Sequence, residues 1–510
     1  MNKWLVAFTV MLPTLIEIID ISIVNVALDH IRGSLSAGID EATWTLTSYL
    51  VSNAIIIPMT GWLSRMFGRK RYLLFSIVLF TVSSFFCGSA WSLESLVFFR
   101  VLQGLGGGAL QPISQAVLLE SFPPRQHGMA MAVFGIGIMV GPILGPVLGG
   151  WITDNWSWHW IFFINLPIGV LSIFMTMLII KDPPYLRREK ISIDYWGLAL
   201  LALGLGSLQI VLDKGEQENW FSSPFIVWLT AIAAISLTLF IIIELRVQHP
   251  IVDLRALRRR TFALGNIVMF FGFLAFFSSI VLLPLYVQTL MGYTAFLAGL
   301  VLGPGGIASL IMMPLVAKLL QKVNPKGILI FGLATNAYAT YVMSQFSLTA
   351  DFSSVVWPRI LLGIGIACFF IPLTTLSVSG FPKEEMGNAS SLFNLVRNLG
   401  GSFGVAFVTT ALAQRTQFHH ERLAEHMTQF DRTYQLGVRR YSDALAAQGF
   451  PSPLIEQGTL VAIYQELIRQ ATMLAFNELF LLTSAIICAT IPLVFFMKHS
   501  RSSQAHIDVH

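Results

Sequence analysis

The stretch GIMVGPILGPVLGG, residues 137–150, lies within an apolar run that extends from residue 127 to residue 150. This run is as long as the roughly 20 residues that a helix needs to cross the hydrocarbon core of a bilayer. Small residues four positions apart let two membrane helices approach closely, and Pro142 and Pro146 are expected to bend the helix. The small residues that share this helix face are Gly137, Gly141, Gly145 and Gly149. The stretch therefore predicts a transmembrane helix that packs tightly against a neighbour.

The composition of the whole chain is that of a membrane protein. Its 510 residues have a mean hydropathy of +0.71, and only 12% are charged, against about a quarter in soluble proteins. The apolar runs are continuous rather than alternating, which excludes an outer-membrane barrel and predicts an all-α polytopic bundle. We predict fourteen transmembrane helices with these approximate extents: 5–28, 43–63, 72–90, 93–117, 127–150, 158–180, 195–213, 223–243, 262–287, 294–318, 326–346, 355–379, 391–413 and 472–497.

Basic residues are distributed unevenly over the joints between these spans. One set of joints carries clusters such as 69–71 and 258–260, whereas the alternate joints carry little beyond Arg32 and Lys214. Because basic joints stay in the cytoplasm, both termini are predicted to be cytoplasmic, in a helical bundle of the inner-membrane type. The net charge of +5 follows from this topology and gives no indication of nucleic acid. The three cysteines lie far apart inside predicted spans, so the sequence indicates neither a metal site nor a cofactor.

Self-comparison of the sequence indicates an internal duplication. A constant shift of 259 residues aligns Arg100 with Arg359 and Gly104 with Gly363. The first six and the last six spans are therefore predicted to be parallel repeats with two helices inserted between them, a 6+2+6 arrangement. The predicted units are an N-terminal six-helix bundle, the inserted helices with their flanking joints, a C-terminal six-helix bundle that includes a periplasmic loop at 414–471, and a cytoplasmic tail: residues 1–182, 183–260, 261–500 and 501–510.

The joint after the second span reads GWLSRMFGRKR, residues 61–71. Gly61 and Gly68 permit a tight turn and close helix approach, and Arg69 belongs to the basic cluster. The joint resembles the loop signature of the major facilitator superfamily, whose members have two six-helix halves and move substrates by rocking around a central site. Arg65 stands where that signature usually has Asp. An ion pair that is formed by this Asp and that gates transport is therefore not expected here.

The fourth span contains the stretch RVLQGLGGGALQP, residues 100–112. Its Arg100 and Gln103 match a second signature of the major facilitators. An arginine inside a span needs a carboxylate or backbone carbonyls as partners, unless its side chain reaches the membrane surface. The sequence leaves open whether Arg100 pairs inside the bundle or extends to the periplasmic interface.

The stretch at 137–150 closely matches the signature G-x-x-x-G-P-x-x-G-G, which marks exporters among the major facilitators. Together with segments 155–169, 206–223 and 367–382, it is similar to the EmrB-like drug:proton antiporters with fourteen spans. This resemblance covers nearly the full chain. It implies multidrug efflux, in which inward proton movement drives hydrophobic drugs or toxic compounds out of the cytoplasm or inner membrane, a source of antibiotic resistance.

The same resemblance implies protein partners. An EmrA-like periplasmic adaptor of the membrane-fusion type would dock on the loop at 414–471 and connect to a TolC-like outer-membrane channel, forming a tripartite efflux pump. The loop can equally be an ordered, solvent-exposed segment, part of which is expected to be helical because its apolar residues follow a helical spacing. The alternative function is that of a narrow-specificity facilitator-type transporter of an endogenous metabolite.

The first span contains LIEIIDISIVNVAL, residues 15–28, in which Glu17 and Asp20 lie in an otherwise apolar helix. The segment resembles the D-x-T-i-v-N-V-A-L-P element of the antiporters, with Ser22 in place of Thr. Residues i and i+3 share a helix face, so both acids can point into the bundle, where two close carboxylates repel and one can exchange protons. We predict that Asp20 and Glu17 couple transport to protons, with Arg100 modulating them. The alternatives are a static partner role for Asp20 and a lining role for Glu17.

Other polar residues of the predicted spans are candidates for contact with the substrate: Asn25, Gln103, Gln111, Gln115, Asn394, Arg397 and Asn398. The last three fall on one helix face at i, i+3 and i+4, where helix packing explains them equally well. No HExxH, GxSxG or Walker-type motif occurs in the sequence, which argues against an enzyme and against a nucleotide site.

Overall fold

The structure, a computed structural model, describes the chain except for short gaps, and its regular elements in the described residues are helices, with no strands. The described ranges are 2–182, 194–248, 250–378, 380–425, 427–428, 430–448 and 451–497. The predicted tail at 501–510 and the beginning of the predicted inserted unit, 183–193, lie outside these ranges.

The helices fall into three groups along the chain. The N-terminal half contains α1 (Lys3–Ser34), α2 (Ile39–Ala42), α3 (Trp44–Phe67), α4 (Arg69–Gly88), α5 (Leu93–Gly107), α6 (Leu110–Ser121), α7 (His127–Asn155), α8 (Trp160–Phe163) and α9 (Asn165–Ile179). The inserted hairpin consists of α10 (Tyr195–Lys214) and α11 (Pro224–Arg246). The C-terminal half contains α12 (Arg260–Thr289), α13 (Ala295–Leu319), α14 (Pro325–Met343), α15 (Phe352–Val378), α16 (Met386–Ala424), α17 (Arg432–Ala447) and α18 (Ser452–Phe495).

Eleven helical segments among the described residues are long and apolar enough to cross a membrane. The chain is therefore a multi-pass membrane protein. At a rise of about 1.5 Å per residue, even a 20-residue helix spans the roughly 30 Å of the hydrocarbon core. Many apolar side chains at the periphery are exposed, as expected for helices whose outer faces contact lipid tails.

The predicted span at 93–117 is not one continuous helix, because the chain turns between the end of α5 and the start of α6. Glycines surround this break, and they let α5 approach two neighbours. A Cβ atom at Gly104 would lie 2.6 Å from the Tyr49 carbonyl oxygen of α3, and one at Gly106 would lie 2.6 Å from the Phe80 nitrogen of α4. Glycine also lowers helix stability, so the same glycines account for both the close packing and the break in the helix.

The last two long helices extend well beyond the spans predicted from hydropathy. Predicted spans 391–413 and 472–497 correspond to α16, which continues to Ala424, and to α18, which begins at Ser452. Together with α17, these extensions fill most of the joint at 414–471 with helix. Hydropathy identifies only the apolar part of a helix. The helix itself can continue into water where its polar side chains favour helical structure.

The two halves contact each other through α3, α6 and α7 on one side and α13, α15 and α16 on the other. Phe134 of α7 stacks against Phe370 of α15, with ring centroids 6.4 Å apart. Gly61 of α3 lies against the backbone of Asn388 in α16, so closely that a Cβ atom would come within 2.9 Å of the Asn388 Cα. Several polar residues of the site described next lie on α3, α6 and α16 of this contact, and the others lie on α1, α5 and α9.

Candidate functional site

Asp20 lies in the middle of α1, and its side chain is fully buried. Its Oδ2 atom accepts a hydrogen bond from Arg100 Nη1 at 2.6 Å. Its Oδ1 atom accepts two more, from Gln103 Nε2 at 2.9 Å and from Asn165 Nδ2 at 2.7 Å. A carboxylate inside a membrane helix requires a counter-charge and satisfied lone pairs, and these three donors from α5 and α9 supply both.

Arg100 is held on several sides by groups of the N-terminal half. Its Nε donates to the Thr45 carbonyl oxygen at 3.0 Å, and its Nη1 also donates to Gln103 Oε1 at 2.7 Å. The guanidinium carbon lies 4.2 Å from the centroid of the Tyr49 ring, whose face attracts a cation. Of the two alternatives that the sequence left open, the structure has the internal ion pair, and the arginine side chain does not reach the surface.

Glu17 lies one turn before Asp20 and belongs to a separate set of hydrogen bonds. Its Oε1 accepts from Asn53 Nδ2 at 3.2 Å and from the Tyr49 hydroxyl at 3.4 Å. Its Oε2 accepts from Gln111 Nε2 at 2.6 Å. The side chain of Glu17 is only 1% exposed. Tyr49 of α3 contacts both sets, because its hydroxyl donates to Glu17 and its ring face packs against the Arg100 guanidinium. This one side chain therefore connects the surroundings of the two acids.

Gln111 connects Glu17 to the C-terminal half. While its Nε2 donates to Glu17, its Oε1 accepts a hydrogen bond from Arg397 Nη2 on α16. Arg397 is 4% exposed, and Asn398 Oδ1 accepts a second hydrogen bond from it at 3.3 Å. One glutamine side chain thus joins a buried acid of one half to a buried base of the other.

A second hydrogen bond crosses the same interface one turn away. Asn394 Nδ2 of α16 donates to Gln115 Oε1 of α6, and the same nitrogen donates to the Ser390 carbonyl oxygen at 2.8 Å. Both side chains are buried, and neither is hydrogen-bonded to a carboxylate. Gln115 and Asn394 therefore form a neutral counterpart to the charged link through Gln111.

Asn25 does not join the other polar candidates. Its side chain is exposed, whereas those of Glu17 and Asp20 on the same helix are buried. Glu17 and Asp20 lie on a different face of the helix. Of the remaining candidates, Gln103 contacts Asp20, Gln111 contacts Glu17, and the others lie where α6 and α16 meet.

The glycine face of α7 packs directly on the helix that carries the acids. Gly141 lies against Ile18 and Gly145 against Ser22, in each case too closely for a Cβ atom. A Cβ atom at Gly149 would lie 3.1 Å from Ile23. The neighbour that the sequence predicted for this face is thus α1. Gly137 faces the flexible end of Met11, and the side chains of Pro142 and Pro146 lie outside the described residues.

The joint between α3 and α4 also contains a buried ion pair. Gly68 adopts a φ of 85°, a conformation that L side chains rarely take, which explains a glycine at this turn. Arg69 follows it, is 3% exposed and pairs with Glu120 at the end of α6. Glu120, rather than an acid at position 65, therefore supplies the carboxylate near this joint.

Sequence reasoning missed several residues of the site. Asn165 binds Asp20 directly, while Asn53 and Tyr49 bind Glu17. A lone amide in an apolar span is a signal that could have identified both asparagines, since polar groups inside membranes are costly without a role. Among the described residues, no group of three or more His, Cys, Asp or Glu side chains could hold a metal ion.

Comparisons with known proteins identify a family of membrane transporters. A family model described as Major Facilitator Superfamily matches residues 10–405. The chain is 38% identical to the multidrug export protein EmrB of Escherichia coli strain K12 over 488 residues, which cover 96% of this chain and 94% of that protein. It is 37% identical to the fatty acid resistance protein FarB of Neisseria gonorrhoeae over 491 residues, with 96% and 94% covered. The solved structure of the proton:xylose symporter XylE has a TM-score of 0.59 at 13% identity, with 97% and 99% covered, and shares the fold.

Proposed function

This chain belongs to the major facilitator superfamily and to its EmrB-like exporters, and we propose that it is an antiporter in which inward proton movement drives hydrophobic drugs or toxic compounds out of the cytoplasm or inner membrane. The observation that carries this proposal is the burial of two carboxylates, Glu17 and Asp20, on α1. Ionisable groups inside a membrane are costly and mark pathways of ions or protons. One proton moving through 100 mV supplies about 2.3 kcal/mol, enough to concentrate a substrate about fiftyfold.

Asp20 is the proposed proton carrier. When it takes up a proton from the periplasmic side it loses the charge that holds Arg100 at 2.6 Å, and Arg100 keeps Gln103, the Thr45 carbonyl and the Tyr49 ring as partners. When the proton leaves toward the cytoplasm, the ion pair forms again. Because Asp20 is on α1 and Arg100 on α5, each proton changes the contact between these two helices.

Glu17 is the proposed link between protonation and the movement of the halves. As a carboxylate it holds Gln111, which in turn holds Arg397 of α16. Hydrogen bonds to ionised groups are roughly twice as strong as those between neutral groups. Protonation of Glu17 would therefore weaken the link and remove the attraction between its charge and that of Arg397, which favours separation of the halves.

The proposed substrate path follows the interface between the halves. Gln111, Gln115, Asn394, Arg397 and Asn398 lie there, and we assign them contact with the substrate once the halves separate. Asn25 faces away from this group in the present conformation. The names of the relatives, a multidrug export protein and a fatty acid resistance protein, support a hydrophobic substrate.

The remaining parts of the proposal concern topology and partners. A helix or a helix pair lies over each of the fourteen predicted spans, which supports a 6+2+6 arrangement. The shift of 259 residues and the basic joints of the sequence support parallel repeats and cytoplasmic termini in the inner membrane. The α17 helix and the outer parts of α16 and α18 form an arm beyond the predicted spans. We assign to this arm the docking of an EmrA-like adaptor, through which a TolC-like channel would complete a tripartite pump.

The test compares Asp20→Asn with Asp29→Asn, which removes the charge of an exposed acid on the same helix. In energised inverted vesicles, an exported compound should release protons from the acidified lumen, read as recovery of fluorescence of a pH-sensitive acridine dye. We expect Asp20→Asn to abolish this release at unchanged protein level and Asp29→Asn to retain it.

Two results would contradict the proposal. Full substrate-driven proton release by Asp20→Asn would remove Asp20 from the coupling mechanism. Uptake of a single metabolite that does not respond to the proton gradient, with no uptake of hydrophobic drugs, would instead support the narrow-specificity facilitator.

A further inference from the structure

Arg359 is a second buried guanidinium, and it lacks the partners that Arg100 has. Its side chain is 8% exposed, and neither its Nε nor its Nη1 atom has a hydrogen-bond partner among the described residues. The helices α12, α13, α14 and α15 contain no Asp or Glu, and α16 contains none before Glu421. A buried charge without a counter-charge costs several kcal/mol, so binding of an anion next to Arg359 would be favourable.

The comparison with Arg100 shows what is missing. The shift of 259 residues that aligns Arg100 with Arg359 also aligns Gln103 with Leu362. Arg100 contacts Asp20 and Gln103, whereas the residue one turn beyond Arg359 is a buried leucine. The C-terminal half therefore retains the arginine without the polar side chain that helps to satisfy its counterpart.

The position of Arg359 on α15 points toward the interface between the halves. Phe370 lies eleven residues later, about three helical turns, so that it shares a face with Arg359. This face packs on the N-terminal half, because the Phe370 ring stacks against Phe134 of α7. Arg359 lies two turns from the start of α15, and its stem crosses Gly305 of α13, where a Cβ atom would come within 2.8 Å of Arg359 Cγ.

We propose that Arg359 binds the acidic group of a transported compound, namely a carboxylate or sulfonate attached to an apolar body. The planar guanidinium binds such oxyanions through its N–H donors, and the Nε and Nη1 donors of Arg359 both lack an acceptor among the described residues. The buried apolar neighbours Val355 and Leu362, each about one turn away, suit the body of an amphiphile. Transport of the bound compound rests on the proposed function, whereas binding at Arg359 does not require proton coupling.

The experiment uses two dyes that share one aromatic skeleton. The anion 8-anilino-1-naphthalenesulfonate carries a sulfonate, which neutral N-phenyl-1-naphthylamine lacks. Binding to the purified full-length chain in phosphatidylcholine nanodiscs is measured by dye fluorescence, with empty nanodiscs subtracted. We expect Arg359→Met to weaken binding of the anion at least about tenfold and binding of the neutral dye less than about twofold, since only the anion loses a charge-assisted contact.

Three further variants control this measurement. Arg359→Lys keeps the positive charge but lacks the planar guanidinium, and it should retain part of the affinity for the anion. Arg469→Met removes a half-exposed arginine and should leave both dyes unaffected, which accounts for net charge. If Arg359→Met is not monodisperse in size-exclusion chromatography, Arg359→Gln takes its place with the same expected selectivity.

Equal loss of both dyes, or unchanged affinity for the anion, would overturn the proposal. A final arm adds anionic phosphatidylglycerol to the nanodiscs. If this lipid displaces the anionic dye from the wild-type chain but not from Arg359→Met, the site belongs to a lipid headgroup and the assignment to a transported compound is wrong. Because no proton gradient is present, these outcomes are independent of the test on Asp20.

Discussion

Replacing Gln111 by Leu should uncouple proton movement from substrate movement. Leucine has a similar volume but can neither donate to Glu17 nor accept from Arg397, so it removes the link between the halves at this level. The matched control is Gln115→Leu. Gln115 accepts a hydrogen bond across the same interface from Asn394 but is not hydrogen-bonded to a carboxylate.

The magnitude follows from the charge of the partners. Hydrogen bonds to ionised groups contribute about 1.5–3 kcal/mol each, so Gln111→Leu removes about 3–6 kcal/mol from the conformation that contains both bonds. Since each 1.4 kcal/mol corresponds to a factor of ten, we expect the number of protons exchanged per substrate to fall at least about tenfold. The neutral bond of Gln115 contributes about 1 kcal/mol, so its loss should change the transport rate about fivefold with the exchange ratio intact.

The assay measures both fluxes in one sample. Proteoliposomes that contain the purified chain take up a radiolabelled substrate while an enclosed pH-sensitive dye reports protons. A wild-type exchange ratio in Gln111→Leu would refute the role of the link. An equal loss of the ratio in Gln115→Leu would refute the distinction between the charged and the neutral bond.

Two further predictions concern packing and the joint after α3. Gly145→Val should lower the free energy of unfolding by about 1–3 kcal/mol, read as a lower thermal midpoint in detergent, because a Cβ atom there would overlap Ser22. Gly150→Val, where a Cβ atom meets no neighbour within 4 Å, should leave the midpoint unchanged. Arg69→Met and Glu120→Gln should slow transport to a similar extent, and the double variant should be no slower than either, because both changes break one ion pair; additive losses in vesicle transport rates would contradict this.

The sequence was sufficient to predict the helical membrane fold and part of the site. Continuous apolar runs require helices, and the cost of a charge in a membrane predicts that Asp20 and Glu17 turn inward, although it leaves two positions open for Arg100. The glycine spacing at 137–150 predicts a close helix neighbour, although it does not say which helix. These inferences succeed because they depend on local periodicity and on the solvent properties of the bilayer.

The rest depends on contacts between distant parts of the chain. Arg397 and Gln111 are 286 residues apart, and nothing local to either residue indicates that they meet. Asn25 lies apart from the other candidates for a simpler reason: matching a family motif does not fix which helix face a residue occupies, and the side chain of Asn25 is exposed whereas those of Glu17 and Asp20 are buried. The helix extensions of α16 and α18 escape hydropathy because their sequences are polar while still helical.

The distribution of charge between the halves connects the two proposals. In the N-terminal half, Asp20 and Arg100 neutralise each other, which leaves Glu17 as the unmatched acid of that interior. In the C-terminal half, Arg397 and Arg359 are unmatched bases. Ionised Glu17 attracts Arg397 through Gln111 and holds the halves together, whereas protonated Glu17 leaves both arginines without a counter-charge. The charge of Glu17 and the charge of an anionic substrate would therefore act on the same two arginines, and this shared dependence connects proton coupling with substrate binding.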